Sequence, residues 1–561
     1  MVATLPAERT SATHSRPRTD AAILLGLMQD APLTLDRLIR RMRDVTASAQ
    51  AIGPTSHGAL RRMSFGDIAA DARRIGGLLE SMGIVAGDRV ASLAFNTIDH
   101  LTLFLGVPAH GVVLQTVNPR FTAEQIEYVL GHGGARVLFV QQALLELVVP
   151  ALSRLPALQH VLVIDRDVPD DEYRSLADAL VSAEPREPVL TDERIASGLC
   201  YTSGTTGSPK GVLYSHRSTF LHALSACMTD VMAVSGHDTI LPIVPMFHAN
   251  AWGLPHAAAL VGAHLILPGR DLSGAAVGEL IRRCGVTMTA GVPTVLDDLL
   301  AHADNNHGVL DTLRTVISGG SALQRPMVDG FSRHGVEVIQ GWGMTETSPC
   351  VTMSRPPRDA EDPVGYRLSA GRLNPLVEAR LIDEDNHVLA PDGTAVGEIE
   401  LNSPHAAAAY YRADELSKEK FDDGWLRTGD AASITPDGYV ILRDRIKDMI
   451  KSGGEWIPSA RLESVAAEHP AVREVAVIAV HDERWGERPG AVVALRPGHA
   501  LSLDDLREFM STHVPKWWLP VALSEVVTLP KTSVGKIDKK ALRVTTPSHS
   551  RDATPVDGVG P

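Results

Sequence analysis

SFGDIAADARRIGGLLESMGIVAGDRVASLAF (residues 64–95) decides the fold class. Ser64 and Asp67 have capping-box spacing, Ile68, Ile75, Leu78, Leu79 and Met82 share one helical face, and Gly83 stands where that helix should end. Arg89 to Phe95 then reads as a strand. Arg136 to Val140 and Gln159 to Ile164 repeat the strand pattern with helical stretches between, which predicts an α/β architecture on a parallel sheet. The texture changes over residues 380–445, where Asp-Gly pairs at 392–393, 423–424 and 437–438 signal turns between β-strands. From Asp444 a compact α+β pattern follows: a helix near 459–468, strands Glu474 to Val480 and Ala491 to Leu495, and a helix capped by Ser502 and Asp505. The expected fold is α/β, with a large N-terminal domain of α/β subdomains plus a β-rich subdomain, and a small mobile α+β C-terminal domain. No repeat of solenoid length is present.

The 561 residues require several cores, and 44% hydrophobic with 21% charged residues excludes wholesale disorder and collagen. A net charge of −14 opposes nonspecific binding to nucleic acid, so no nucleic-acid partner is expected. Cys200, Cys227, Cys284 and Cys350 form no CxxC pair, which removes support for zinc and thioredoxin-like readings and points to a reducing, cytoplasmic setting. No apolar run reaches the roughly 18–20 residues of a membrane span, so no integral membrane segment is expected. Ala21 to Met28 is apolar, but Gln29 and Asp30 follow at once without a small-residue cleavage pattern, against a signal peptide. Composition marks loose tails at 1–25 and 546–561 and a charge- and glycine-dense candidate hinge within 444–454, so the expected division is a large domain at 26–443, a hinge at 444–447 and a second domain at 448–545.

The chemistry concentrates in YTSGTTGSPKGV (201–212). Its small residues let backbone N–H groups approach an anion, Thr202, Ser203, Thr205 and Thr206 add hydroxyls, Gly204 and Gly207 give room, and Lys210 brings positive charge. It is no Walker A loop, since Lys210 lies three residues past Gly207, and no Rossmann G-x-G-x-x-G occurs. Alone, such a stretch reads equally well as a surface turn. Four more motifs follow in order: GWGMTETSP (341–349), GWLRTGD (424–430), DRIKDMIKSGGEW (444–456) and PKTSVGK (530–536). Together the five resemble the acyl-adenylate-forming superfamily of AMP-binding enzymes, which includes acyl-CoA synthetases, adenylation domains of peptide synthetases and beetle luciferases. The likeness runs from about residue 30 to 545 and takes in VNPRFTAEQIEYVL (117–130) and GVPTV (291–295). VPMFHANAWGLP (244–255) is most similar to the fatty-acyl-CoA synthetase branch, which includes methylmercaptopropionate–CoA ligase.

Singly, Glu346 reads as a solvated glutamate, Trp342 as a core aromatic and Thr428-Gly429-Asp430 as a turn. The resemblance gives them roles. It implies Mg²⁺ at Thr205 and Glu346, an oxygen site suited to a hard cation, and Thr345 at the α-phosphate. Gly341, Trp342 and Gly343 would form one wall of an adenine pocket, with Trp342 stacking where relatives more often have Tyr, and Gly319, Gly320, Ser321 and Ala322 the other. Asp430, assisted by Arg445, would take the ribose hydroxyls. Lys536 would stabilise charge at the α-phosphate during transfer, whereas Lys531, Lys539 and Lys540 read as surface charges. His248 and Trp252 would line an acyl tunnel with Trp252 as its gate, opposite Gly291, Val292, Pro293 and Thr294. Rotation about Lys447 would bring Ser452, Gly453, Gly454 and Glu455 to a channel for coenzyme A. One departure stands out: NSPHAAAAYY (402–411) has Ala409 where relatives often have glycine, and it reads as structural.

The implied activity is that of an ATP-dependent acid–CoA ligase for medium- or long-chain acids, with ATP, coenzyme A and a carboxylic acid as substrates. As no cysteine falls in a motif, no covalent acyl-enzyme is expected. Two competitors are an acyl-AMP ligase serving a carrier-protein phosphopantetheine and a catalytically silent nucleotide-binding relative. The resemblance also allows a homodimer, and it leaves acyl length open.

Overall fold

The computed structural model describes residues 27–55, 58–165, 172–202, 208–453, 455–531 and 537–545. The expected tails, 1–25 and 546–561, and Ser203, Gly204, Thr205, Thr206, Gly207, Gly454 and Lys536 lie outside the described residues.

The opening segment folds as helix Phe65–Ser81 followed by strand Arg89–Leu93. The Ser64 hydroxyl oxygen accepts from the Asp67 backbone N–H, while the Asp67 carboxylate takes the Ser64 hydroxyl itself at 2.6 Å. Ser64 also ends strand Leu60–Ser64, opposite Gln50. Gly83 follows with φ 69° and lets the chain reverse.

Among the described residues the strands form three sheets. The first runs in the order Arg174–Ser175, His160–Ile164, Val137–Gln141, Arg89–Leu93, Val113–Val117, Ala196–Tyr201, Gly211–Ser215. All its pairs are parallel except the last. The 201–212 motif therefore spans a hairpin whose arms meet at Tyr201 and Gly211.

The second sheet joins the β-rich part expected in the large domain to its parallel α/β part. Parallel strands Thr239–Pro242, Met288–Gly291, Thr315–Gly319 and Glu337–Gly343 continue through Cys350–Met353 and Gly371–Leu373 into antiparallel strands Tyr439–Arg445, Trp425–Ile434, Gly397–Asn402 and Glu378–Ile382. Asp423-Gly424 makes a two-residue hairpin with both residues at positive φ, 44° and 82°, the combination a type I′ turn requires. Asp437-Gly438 also joins paired strands. Asp392-Gly393 does not: the strands on either side of it, Val388–Leu389 and Gly397–Asn402, flank Glu378–Ile382 instead of pairing.

The third sheet contains Ile450–Ser452, Glu455–Ile457, Val472–Asp482, Gly486–Leu495 and Ala522–Glu525. Helices Ser459–Ala467 and Leu503–Met510 contribute Leu462, Val465, Leu506 and Met510 to its core, and Ser502 and Asp505 form the full capping box expected. Among the described residues no helix is long and apolar enough to cross a membrane.

His100, His216, His222, His256 and His405 are buried in the large lobe, and among the described residues His256 Nδ1 and His405 Nε2 have no hydrogen-bond partner. Burial lowers all five, His100 and His216 to about 4 and His256 to about 3. A histidine held below its ordinary 6.5 is protonated first in the unfolded chain. The stability tied to its neutral form is therefore intact above about pH 6.5 and is lost as pH falls through the folded value. The free energy of urea unfolding should drop between about pH 6.5 and 4, each histidine contributing up to about 1.4 kcal/mol per pH unit. His256→Leu should flatten that slope, and a stability constant over this range would contradict the assignment.

Candidate active site

Strand Glu337–Gly343 has a parallel neighbour on one side and an antiparallel one on the other. Its end, together with that of Thr315–Gly319, opens into a cleft of about 1740 Å³. Thr202, Lys210, Gly320, Ser321, Ala322, Gly341, Trp342, Gly343, Thr345, Glu346, Arg445 and Lys447 all line it, although they come from distant parts of the sequence. The base of the 201–212 hairpin is closed by Thr202 N–H to the Lys210 carbonyl at 2.9 Å and Lys210 N–H to the Thr202 hydroxyl at 3.3 Å.

Asp430 is 4% exposed and faces Arg445 across paired strands. One carboxylate oxygen pairs with the Arg445 guanidinium at 2.5 Å, and the other accepts from the Trp342 indole N–H at 3.0 Å. The expected base-stacking aromatic and the expected sugar-binding carboxylate are thus joined directly.

Glu346 is buried within the short helical turn Thr345–Thr347. Its carboxylate accepts from the Tyr410 hydroxyl at 2.5 Å, and its backbone carbonyl accepts from Ala407 N–H at 2.7 Å. Lys210 Nζ lies 5.4 Å from the centre of the Tyr410 ring, within cation–π range. Tyr214 donates its hydroxyl to the Thr345 carbonyl at 2.7 Å. Burial, reinforced by Glu346, pushes the Tyr410 phenol well above its ordinary value, and burial does the same for Tyr214. Both stay protonated donors at neutral pH. Tyr410 and Ala407 belong to the departing segment NSPHAAAAYY, so that segment is structural as expected but also seats Glu346. Its tyrosines were the only sequence signal for this contact.

The walls expected for an acyl group converge less completely. His248, Trp252, Val292, Pro293 and Thr294 line the cleft, with apolar Met232, Ile317, Cys350 and Met353 beside them. Gly291 is not on this wall: it ends strand Met288–Gly291, and a side chain there would meet Ile243 and Leu296. Residues 249–253 form a left-handed turn with φ between 42° and 74°. Left-handed backbone costs about 1–2 kcal/mol per non-glycine residue. Trp252 is nonetheless packed in place, 9% exposed, against Gly319, where an added Cβ would come within 2.9 Å of the indole and of the Gly341 carbonyl.

From the small lobe, Lys531 and Ile537, the described residues flanking 532–536, line the same cleft. Ser452 is buried and Gly453 and Glu455 are exposed, and none of the three lines the cleft. Burial lowers the Lys447 ammonium, with Asp448 opposing. Lys540 is exposed as expected and Lys531 pairs with Glu474 at 2.6 Å, but Lys539 is no surface charge: its side chain is 15% exposed and pairs with Glu463 at 2.7 Å.

The donor set fits magnesium. Among the described residues no three or more His, Cys, Asp or Glu side chains gather to hold a metal, whereas Mg²⁺ is satisfied by one or two carboxylates plus phosphate and water oxygens. Glu346, buried and oriented by Tyr410, is such a carboxylate.

A two-lobed α/β fold thus brings a lysine-bearing hairpin and a buried acid to one cleft, with an aspartate tied to the cleft's tryptophan, and similarity to known proteins gives the class of enzyme. The AMP-binding enzyme family matches residues 38–411, and the AMP-binding enzyme C-terminal domain matches residues 461–536. The chain belongs to this family. It is 41% identical to a long-chain-fatty-acid–CoA ligase of Thermus thermophilus over 92% of this chain and 96% of that protein. It is 38% identical to a 3-methylmercaptopropionyl-CoA ligase of Ruegeria lacuscaerulensis (93% and 98%) and 36% identical to a medium-chain-fatty-acid–CoA ligase of Ectopseudomonas oleovorans (93% and 97%). Among solved structures, the anthranilate CoA ligase AuaEII with anthranoyl-AMP superposes with a TM-score of 0.83 at 27% identity over 92% of this chain and 98% of that one. ATP-bound MatB from Rhodopseudomonas palustris gives 0.80 at 26% over 92% and 99%.

Tyr410→Phe removes the hydroxyl that orients Glu346. The concentration of Mg·ATP needed for half-maximal thermal stabilisation should rise about 10-fold, the usual scale for losing a group that orients a metal ligand. An unchanged titration would remove Tyr410 from the site.

Proposed function

We propose that this protein is an ATP-dependent acid–CoA ligase that activates a medium- or long-chain fatty acid as acyl-AMP and transfers the acyl group to coenzyme A. The observation that carries this reading is one cleft lined by Lys210, Thr345 and Glu346, with Asp430 bonded to its Trp342 wall, and also by Trp252, Ile317, Cys350 and Met353. The relatives that act on fatty acids support the acyl class.

A carboxylate is a poor electrophile because its leaving group would be oxide, so it must first be activated. In this reading Asp430 and Arg445 hold the ribose hydroxyls, and Trp342 lies against the adenine with residues 319–322 opposite. Thr202 and the 203–207 segment hold the triphosphate, Lys210 neutralises it and Thr345 donates to the α-phosphate. Mg²⁺, held by Glu346 and Thr205, supplies further charge neutralisation when bound. The acid's carboxylate oxygen attacks the α-phosphorus and pyrophosphate leaves, with Lys536 balancing the charge that builds there. The thiolate of coenzyme A then attacks the acyl carbonyl and AMP departs.

The two steps compete for space, since a lysine at the α-phosphate blocks the thiol's approach. A small lobe (448–545) turning about Lys447 in the 444–447 hinge, against a large lobe (26–443), resolves this. Ser452, Gly453, Gly454 and Glu455 would then line the thiol channel.

The direct test is a panel of carboxylic acids of graded length, with pyrophosphate, AMP and acyl-CoA measured. Equal amounts of the three, with turnover dependent on coenzyme A, are expected. Acyl-AMP that accumulates with coenzyme A unused would point to a carrier-protein acceptor, and ATP binding without pyrophosphate from any acid would leave only a silent relative. Trp252→Ala should shift the chain-length optimum while the KM for ATP stays within about twofold. An unchanged profile would take Trp252 out of the acyl wall.

A further inference from the structure

We propose that Asp444 is a positioning residue: from the start of the hinge, where it is still paired into the large lobe's sheet, it holds the small lobe over the cleft for the acid-activating step. The inference rests on the two-step reading above. Asp444 lies in strand Tyr439–Arg445, opposite Ala431, and is 9% exposed. One of its carboxylate oxygens accepts from its neighbour's backbone N–H at Arg445. The other accepts from the Ser459 hydroxyl at 2.6 Å and from the Ala460 N–H at 3.2 Å, at the start of small-lobe helix Ser459–Ala467.

The contact continues into the small lobe. The fully buried Ser459 hydroxyl oxygen accepts from the Lys539 ammonium at 2.7 Å, and Lys539 pairs with Glu463 at 2.7 Å. Glu463 in turn accepts from the Val477 N–H at 2.7 Å, in strand Val472–Asp482. Within the small lobe, Arg543 pairs with Asp448 at 2.6 Å and fastens helix Lys539–Thr545 to the residue that follows Lys447. One carboxylate paired into the large lobe's sheet thus engages a connected set of charges and donors reaching three elements of the small lobe. Lys539 is three positions beyond Lys536 in the sequence, so the set ends beside the segment that must deliver the catalytic cation.

Charge-assisted bonds at these distances are among the stronger polar contacts, and most of this set is shielded from water. Asp444 precedes Lys447, whereas Ser459, Glu463 and Lys539 follow it. Any turn of the small lobe about Lys447 therefore parts Asp444 from Ser459 while leaving the Ser459, Lys539 and Glu463 contacts within one body. The contact favours the arrangement that serves acid activation and must open for thioester formation.

The test separates the half-reactions in Asp444→Asn and Ser459→Ala, by acid-dependent exchange of pyrophosphate into ATP and by conversion of supplied acyl-AMP to acyl-CoA. Asp444→Asn and Ser459→Ala should each slow exchange about 10-fold, the scale of losing a hydrogen bond to a charged group. Thioester formation should be unchanged or faster in both. Equal loss in both half-reactions, or loss in neither, with wild-type enzyme performing both, would overturn the inference and leave the ligase reading standing. Wild-type enzyme inactive in both with every acid would overturn the ligase reading as well. If Asp444→Asn fails to fold, Ser459→Ala, which removes a single oxygen, decides by the same criteria.

Discussion

The cleft exists because strand Glu337–Gly343 pairs in opposite senses on its two sides. Parallel strands before it direct their carboxyl ends, and the loops that follow, to one edge of the sheet. The antiparallel strands after it return the chain to the same edge, which brings Asp430 and Arg445 beside Trp342. Crevices at such changes of direction are where open α/β sheets bind ligands. Here the two halves of the sheet supply complementary chemistry, small backbone-rich loops from one and a tethered carboxylate from the other.

Much of the architecture was legible because it is written in local pattern. The helix after Ser64, the capping box at Ser502 and the hairpin at Asp423-Gly424 each depend on residues within a few positions of one another. The continuity of the second sheet was not legible, because it depends on which strands meet, and the Asp392-Gly393 turn shows that a turn signal does not name a strand's partner. The motifs placed most of the polar site for the same reason: each is a short run with its own spacing. Gly291 failed because membership in a motif does not say whether a residue faces the cleft or supports it from behind.

Residues outside the motifs were missed where their partners are far away in sequence. Tyr410 is 64 positions from Glu346, in an alanine-rich stretch whose tyrosines do not name their partner. Lys539 stands next to Lys540 like an ordinary surface pair, yet its ammonium is enclosed by a serine and a glutamate about 80 positions earlier. Nor did composition announce the left-handed turn at 249–253, which persists because Trp252 is wedged against a glycine that leaves it room.

The indole N–H of Trp342 gives that side chain two attachments at once, a flat face toward the cleft and a polar edge on Asp430. A phenylalanine would keep the ring and lose the N–H, so the Asp430 carboxylate would lose the bond that complements its pair with Arg445. A substitution at Trp342 therefore reaches Asp430 as well as the cleft wall, so the two positions are not independent of one another.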